Sequence, residues 1–213
     1  MKKIILIIIL NLYFITSSLA DDISDFQVEG MSIGDSLLDH FSEKLIKNST
    51  TKFPGIPDAK FKMATIYSKS FGNYINVADF DFEVFEAVEI IYDKNDKNFT
   101  IKSVSGAITN TKKKNIKDIQ DCKRQKEEMY KDVKLVFKKS LSKSDEGKIP
   151  VDKSGKSKYF RTSIFLTNKS KYGEIEVSCL YYVGKIAKNF STSVGLTIKT
   201  DELNDFLQTS YKK

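Results

Sequence analysis

Two cysteines, Cys122 and Cys179, constrain this chain more than any other feature. They are the only two in its 213 residues, and they stand on segments of different periodicity. Cys122 falls on an amphipathic run, Asn115 to Leu141, in which Ile116, Ile119, Met129, Val133, Val136 and Phe137 recur at helical spacing with Lys, Glu and Asp opposite. Asn115 is placed to cap that helix, with Asp118 at the third position. Cys179 falls on Glu174 to Val183, where Ile175, Val177, Cys179 and Tyr181 share one face of a strand. A disulfide between them lays the long helix across a sheet. By closing a long loop in the unfolded chain, it stabilises the fold by about 4 kcal/mol. Two buried free thiols are the alternative.

The start of the chain bears on that choice. Met1-Lys2-Lys3 is a positive n-region, Ile4 to Ile15 is apolar except for Asn11, and Ser18-Leu19-Ala20 offers small residues for cleavage before Asp21. Residues 1–20 are read as a secretory signal peptide, and 21–213 as one domain, periplasmic or secreted. An oxidising compartment favours the disulfide. After the signal no apolar run is long enough to cross a bilayer, so no further transmembrane segment is expected.

Composition narrows the partners. With 15 Phe and 10 Tyr the chain has ample large side chains to bury, which excludes disorder. The formal charge is +7, yet of 35 basic residues only Arg124 and Arg161 are arginine, and lysines alternate with acids almost everywhere. A nucleic-acid binder concentrates its charge and favours arginine for bidentate phosphate contacts, so no nucleic-acid partner is expected. High Lys, Ile, Asn, Phe and Tyr usage is also what an AT-rich genome encodes. A single histidine and two cysteines leave no structural zinc site, and no cofactor or metal is expected.

Along the chain the pattern is α+β: an antiparallel sheet of five to six strands, including two hairpin units, covered by a long central helix and two shorter ones. Ser32 opens a first helix with Asp35 at the third position and Ile33, Leu37, Leu38, Phe41 and Leu45 on one face, ending near Asn48. Met63 to Ser70 reads as a strand, and Asp79-Phe80-Asp81-Phe82-Glu83-Val84 alternates acid with apolar as a half-buried strand. Glu86 to Tyr92 and Phe99 to Ile108 form a hairpin across Asp93 to Asn98. Lys138 to Lys158 loses periodicity and is read as a flexible loop. Strands at Tyr159 to Thr167, Glu174 to Val183 and Ser193 to Lys199 follow, then a short helix with Leu203, Phe206 and Leu207 inward. No fixed-period repeat is present.

Several motifs invite stronger readings. Ser154-Gly155-Lys156-Ser157 ends like a phosphate-binding loop, but Pro150 stands where its first glycine belongs. The Asp93 to Asn98 turn lacks the glycine and the terminal glutamate of a calcium loop, having Asn98 and Val104 there. Asp79, Asp81 and Glu83 on one strand face are read as a solvated surface. The aromatics of Tyr181-Tyr182 and Tyr159-Phe160 are read as core fillers before groove liners.

Gly34-Asp35-Ser36-Leu37 spells the signature of the GDSL (SGNH) hydrolases. That resemblance would make Ser36 an acyl-transfer nucleophile; helical spacing would separately put His40 one turn on, with Asp35 or Asp39 nearby. The companion Gly-x-Asn-Asp block and late Asp-x-x-His of that family are missing, and the tetrapeptide is read as a coincidental helix opening. The Lys-Lys-Ile signal, the Gly30 to Asp39 opening and the Cys122/Cys179 pair together resemble uncharacterised exported proteins of bacteria with AT-rich genomes. The Gly-Met-Ser opening is also similar to small periplasmic domains of the outer-membrane assembly lipoprotein type. These resemblances imply export and supply no activity.

The expectation is therefore an exported, non-enzymatic binding or envelope-accessory protein. Its partner is a small molecule, an envelope component or another protein. A serine hydrolase on Ser36 is the first alternative. A peripheral membrane-surface protein using the Lys-rich loop is the second.

Overall fold

The computed structural model describes residues 23–53, 56, 58–71, 76–109, 116–166, 173–188 and 190–210. The segment read as a signal peptide, Asn115 and residues 167–172 lie outside them. Within the described residues three α-helices and eight strands form one α+β unit: α1 (Glu43–Ser49), α2 (Ile119–Val136) and α3 (Asp201–Ser210), with β1 (Thr50–Lys52), β2 (Phe61–Tyr67), β3 (Ala87–Asp93), β4 (Ile101–Thr109), β5 (Leu141–Lys148), β6 (Lys158–Phe165), β7 (Gly173–Tyr181) and β8 (Ser193–Thr200). The strands make a single sheet in the order β1-β2-β3-β4-β8-β7-β6-β5, antiparallel throughout. Each half is thus a helix followed by a four-strand meander, and the second meander runs backwards so that β8 meets β4.

The two faces of the sheet differ by one residue of parity. Ala64, Ile90, Val104, Ile198, Ile175 and Ile164 stand in register across six strands, and all are fully buried. That apolar row receives Ile46 of α1 and Val133 of α2, together with Phe137 just beyond it. One position on, Thr65, Glu89, Ser105, Thr197, Glu176 and Ser163 form a polar row on the other face. Helix α3 covers part of this second face, where Leu203 packs with Phe53, Phe61 and Ile91.

The sheet exceeds the expected five to six strands because two edges were not legible. β1 is only three residues long. β5 lies inside the segment read as a flexible loop, 138–158: Leu-Ser-Lys-Ser-Asp-Glu-Gly-Lys has no buried face, and backbone pairing with β6 holds it. Arg161 adds two 2.8 Å bonds to Asp145 across that pair. A charged edge strand of this kind also discourages further strand addition. Beyond β5, Asp152 accepts backbone N–H bonds from Ser154 and Ser157 and closes a compact turn.

The helices are shorter than periodicity suggests. α2 spans 18 residues, with Asp118 as its cap accepting from the N–H groups of Gln120 and Asp121. The expected first helix is broken. Asp35 does reach back to the N–H of Ser32 at 2.7 Å, but Gly34 has φ +94° and Ser36 bridges to Thr100. A 3₁₀ turn at Leu37–Asp39 follows, and a true helix starts only after the cap Ser42. The expected strand at Asp79 to Val84 is also absent: Asp81 instead binds the hydroxyl of Ser68 and the N–H of Ser70.

Cys122 and Cys179 form the expected disulfide, with Cα atoms 5.8 Å apart and both side chains buried beside Phe160 and Val194. Helix α2 lies on β7 and β8, as the pairing required.

Candidate functional site

A cavity of about 1160 Å³ opens between α2 and the β4–β8 seam, closed on its far side by residues 26–30 and 80–85. Its floor is apolar: Ile108, Val194, Leu196 and Phe85 from below, Met129 and Val133 from α2. Beneath Phe85, β4 carries no side chain at Gly106. A Cβ there would fall 2.2 Å from the Phe85 ring, so the ring rests directly on the strand.

The far wall depends on a turn near the start of the domain. Val28 and Met31 pair across Glu29 and Gly30, whose φ angles of +53° and +79° are those of a tight type I′ hairpin turn. Glu29 accepts that left-handed backbone and aims its carboxylate at the next segment. There it accepts the N–H groups of Glu83, Val84 and Phe85 at 2.7, 2.8 and 2.8 Å. Three backbone donors in a segment without strand pairing are thereby satisfied by one side chain.

The rim is acidic in a chain that is basic overall. Glu29, Asp81, Glu83, Glu128 and Asp132 line the cavity against one cation, Arg124. Arg124 is committed to its own helix, bonding Asp121 at 2.6 Å and Glu128 at 2.7 Å. Its guanidinium, bonded to the Asp121 carboxyl, holds that group below the ordinary aspartate range. Exposed apolar groups sit at the same mouth: Val84, and Phe80 stacked on Phe41 at 5.9 Å. The arrangement suits a ligand with an apolar body and a cationic or hydrogen-bond-donating end.

The residues singled out by the GDSL tetrapeptide lie elsewhere, against the β3–β4 turn. The Ser36 hydroxyl donates to the carbonyl of Asn98 at 2.7 Å and accepts the N–H of Leu38, acting as a cap. His40 Nε2 stands 3.7 Å from Asp35 Oδ2, so histidine and acid meet while the serine proton points away to a backbone carbonyl. The Asp93 to Asn98 turn is closed by its own side chains, Asp93 to the N–H of Asn95 and Asp96 to those of Asn98 and Thr100. Among the described residues no group of three His, Cys, Asp or Glu is arranged to hold a metal ion. No helix among them is long and apolar enough to cross a membrane.

Sequence reasoning missed the cavity. Its lining comes from five separate segments, and the residue that joins two of them, Glu29, carries no motif. The one available signal was Glu29-Gly30 between Val28 and Met31, a turn dipeptide with apolar flanks. Comparison of the chain with known protein families, with curated proteins and with solved structures finds no match.

Proposed function

We propose that this chain is an exported, non-enzymatic binding protein that holds a small amphipathic ligand between α2 and the β4–β8 seam. The observation that carries the reading is the union, in one cavity of about 1160 Å³, of an apolar floor with a rim of five carboxylates. The disulfide supports work in an oxidising compartment, where such a bond persists. The apolar body of the ligand lies on Ile108, Leu196 and Met129, and its cationic end meets Glu83 and Asp132.

The chain lacks tryptophan, so a single Val84→Trp at the exposed rim reports on the cavity without background. Titration with dodecyltrimethylammonium below its micellar range shifts the emission saturably at one equivalent, and dodecyl sulfate binds at least about tenfold more weakly. Met129→Trp fills the floor and abolishes binding measured calorimetrically. Equal affinity for both detergents, or unchanged affinity after Met129→Trp, would refute the reading.

A further inference from the structure

Helix α2 buries a lysine where its neighbours bury apolar groups. Lys126 follows Cys122 by one turn on the inner stripe and is 8% exposed. Its ammonium donates to the Thr162 hydroxyl on β6, with the Tyr130 ring centroid 6.0 Å away. Among the described residues no carboxylate forms an ion pair with it, and two of its three N–H groups have no acceptor. A buried cation in that condition is costly to keep unless something compensates it.

The surroundings define what could do so. Lys126 opens into a cavity of about 270 Å³ between α2 and the β5–β6 edge, separate from the larger one and lined also by Lys123, Ser144, Phe160 and Arg161. An ammonium only donates, so Thr162 Oγ1 accepts from Lys126, and it shares a second hydrogen bond of 2.9 Å with Ser144 Oγ in which either hydroxyl can donate. Ser144 is exposed at the mouth, where its hydroxyl can reach a ligand. Lys123 adds a second ammonium, 4.0 Å over the Phe160 ring and only loosely held by Glu146 at 3.8 Å. The acids on the same wall are Glu127, Asp145 and Glu146. Asp145 is paired by its two bonds from Arg161, Glu146 is largely exposed, and Glu127 acts on Lys126 through space without forming an ion pair, an effect smaller than the burial that opposes it.

We propose that this cavity is a binding site for a compact oxyanion of the phosphate type, held by the ammonium groups of Lys126 and Lys123 and the hydroxyl of Ser144. The site is independent of the amphipathic-ligand cavity. Burial of Lys126, which pushes its ammonium below the ordinary lysine range, is relieved when the anion arrives, so occupancy favours the folded state.

The test uses the whole exported domain with its disulfide intact. Inorganic phosphate is titrated calorimetrically and by thermal shift, with chloride at equal ionic strength as the control. Vesicles containing phosphatidic acid form a second arm that tells a lipid headgroup from the free ion. Saturable binding in either arm is expected. Lys126→Met, which keeps the length and apolar stem, lowers affinity at least about tenfold, and Ser144→Ala at an exposed position lowers it about two- to fivefold. The Ser144 variant keeps the test decisive should the Lys126 variant fail to fold. No saturable binding in either arm, or affinity unchanged in the variants that fold, overturns the proposal.

Discussion

The ring of Phe85 occupies the space that a side chain at residue 106 would need. A Cβ built on Gly106 comes 2.2 Å from Phe85 Cδ2 and 2.4 Å from Cγ. Neither group can retreat easily. Gly106 is paired on both sides, with Val88 and Leu196, and the N–H of Phe85 is held by Glu29. Gly106→Ala is therefore expected to destabilise the protein by about 1–3 kcal/mol, the usual cost of overpacking. Urea denaturation monitored by tyrosine fluorescence measures it. Combining the change with Phe85→Leu should recover part of the loss, and strict additivity of the two would show that the contact is not what matters.

Glu29 is expected to be the most sensitive acid of the cavity wall. Its two oxygens receive three backbone N–H groups, and Gln offers only one acceptor oxygen in the same shape. Glu29→Gln should cost about 1–3 kcal/mol. Glu83→Gln on the same rim, whose side chain is exposed, should stay within about 0.5 kcal/mol of the parent. Equal effects of the two changes, in parallel urea titrations, would contradict this assignment.

Glu89 gives the fold a pH signature. It stands on the polar face between Thr65 and Ser105, near Thr197, Glu176 and Lys199, and Lys199 is engaged with Glu174 and Glu176. Burial pushes the Glu89 carboxyl above the ordinary glutamate value. The folded state then holds this proton more tightly than the unfolded one. No penalty exists below the unfolded value; it develops as pH rises through that value and is complete above the folded one. Glu89→Gln should raise the melting temperature at pH 7 and leave it nearly unchanged at pH 4. A gain of the same size at both pH values would exclude titration as the cause.

Removing the disulfide should cost about 4 kcal/mol, given a separation of 57 residues between Cys122 and Cys179. The comparison is oxidised protein against Cys122→Ala/Cys179→Ala in guanidinium. Mass spectrometry of unreduced peptides checks the pairing itself. Recovery of two alkylatable thiols from native protein would remove it.

What the sequence made legible follows the contrast between its residues and their surroundings. β7 could be read because Ile175, Val177 and Cys179 are buried on a face alternating with half-buried Glu176 and Ser178. β5 could not, since solvent on both faces removes the pressure for alternation and leaves Lys143, Asp145 and Glu146 in no pattern. Of the expected apolar face Leu37 and Phe41 are buried while Leu38 is exposed, and equal spacing cannot tell one continuous helix from a 3₁₀ turn and a helix separated by Ser42. Lys126 sat in plain view at Cys122 plus four. Lysine is ordinarily a surface residue, so a buried one that interrupts the stripe carries no apolar signal. The cavity rests on contacts such as Glu29 to Phe85, 56 positions apart, which no local periodicity encodes.

The covalent bridge joins α2 to β7, both of which belong to the second half of the chain. The join between halves, from Ser103–Lys199 to Thr109–Ser193, carries no covalent bond: backbone pairing holds it, with side-chain bonds from Ser103 and Thr197 and the packing of Leu203 on Phe61 and Ile91. Reduction is accordingly expected to loosen the wing that carries the bridge before the other. Amide exchange in a thiol-treated sample should quicken on β5 to β7 while β1 to β3 keep their protection, turning a uniform slab into one with a firm side and a yielding side.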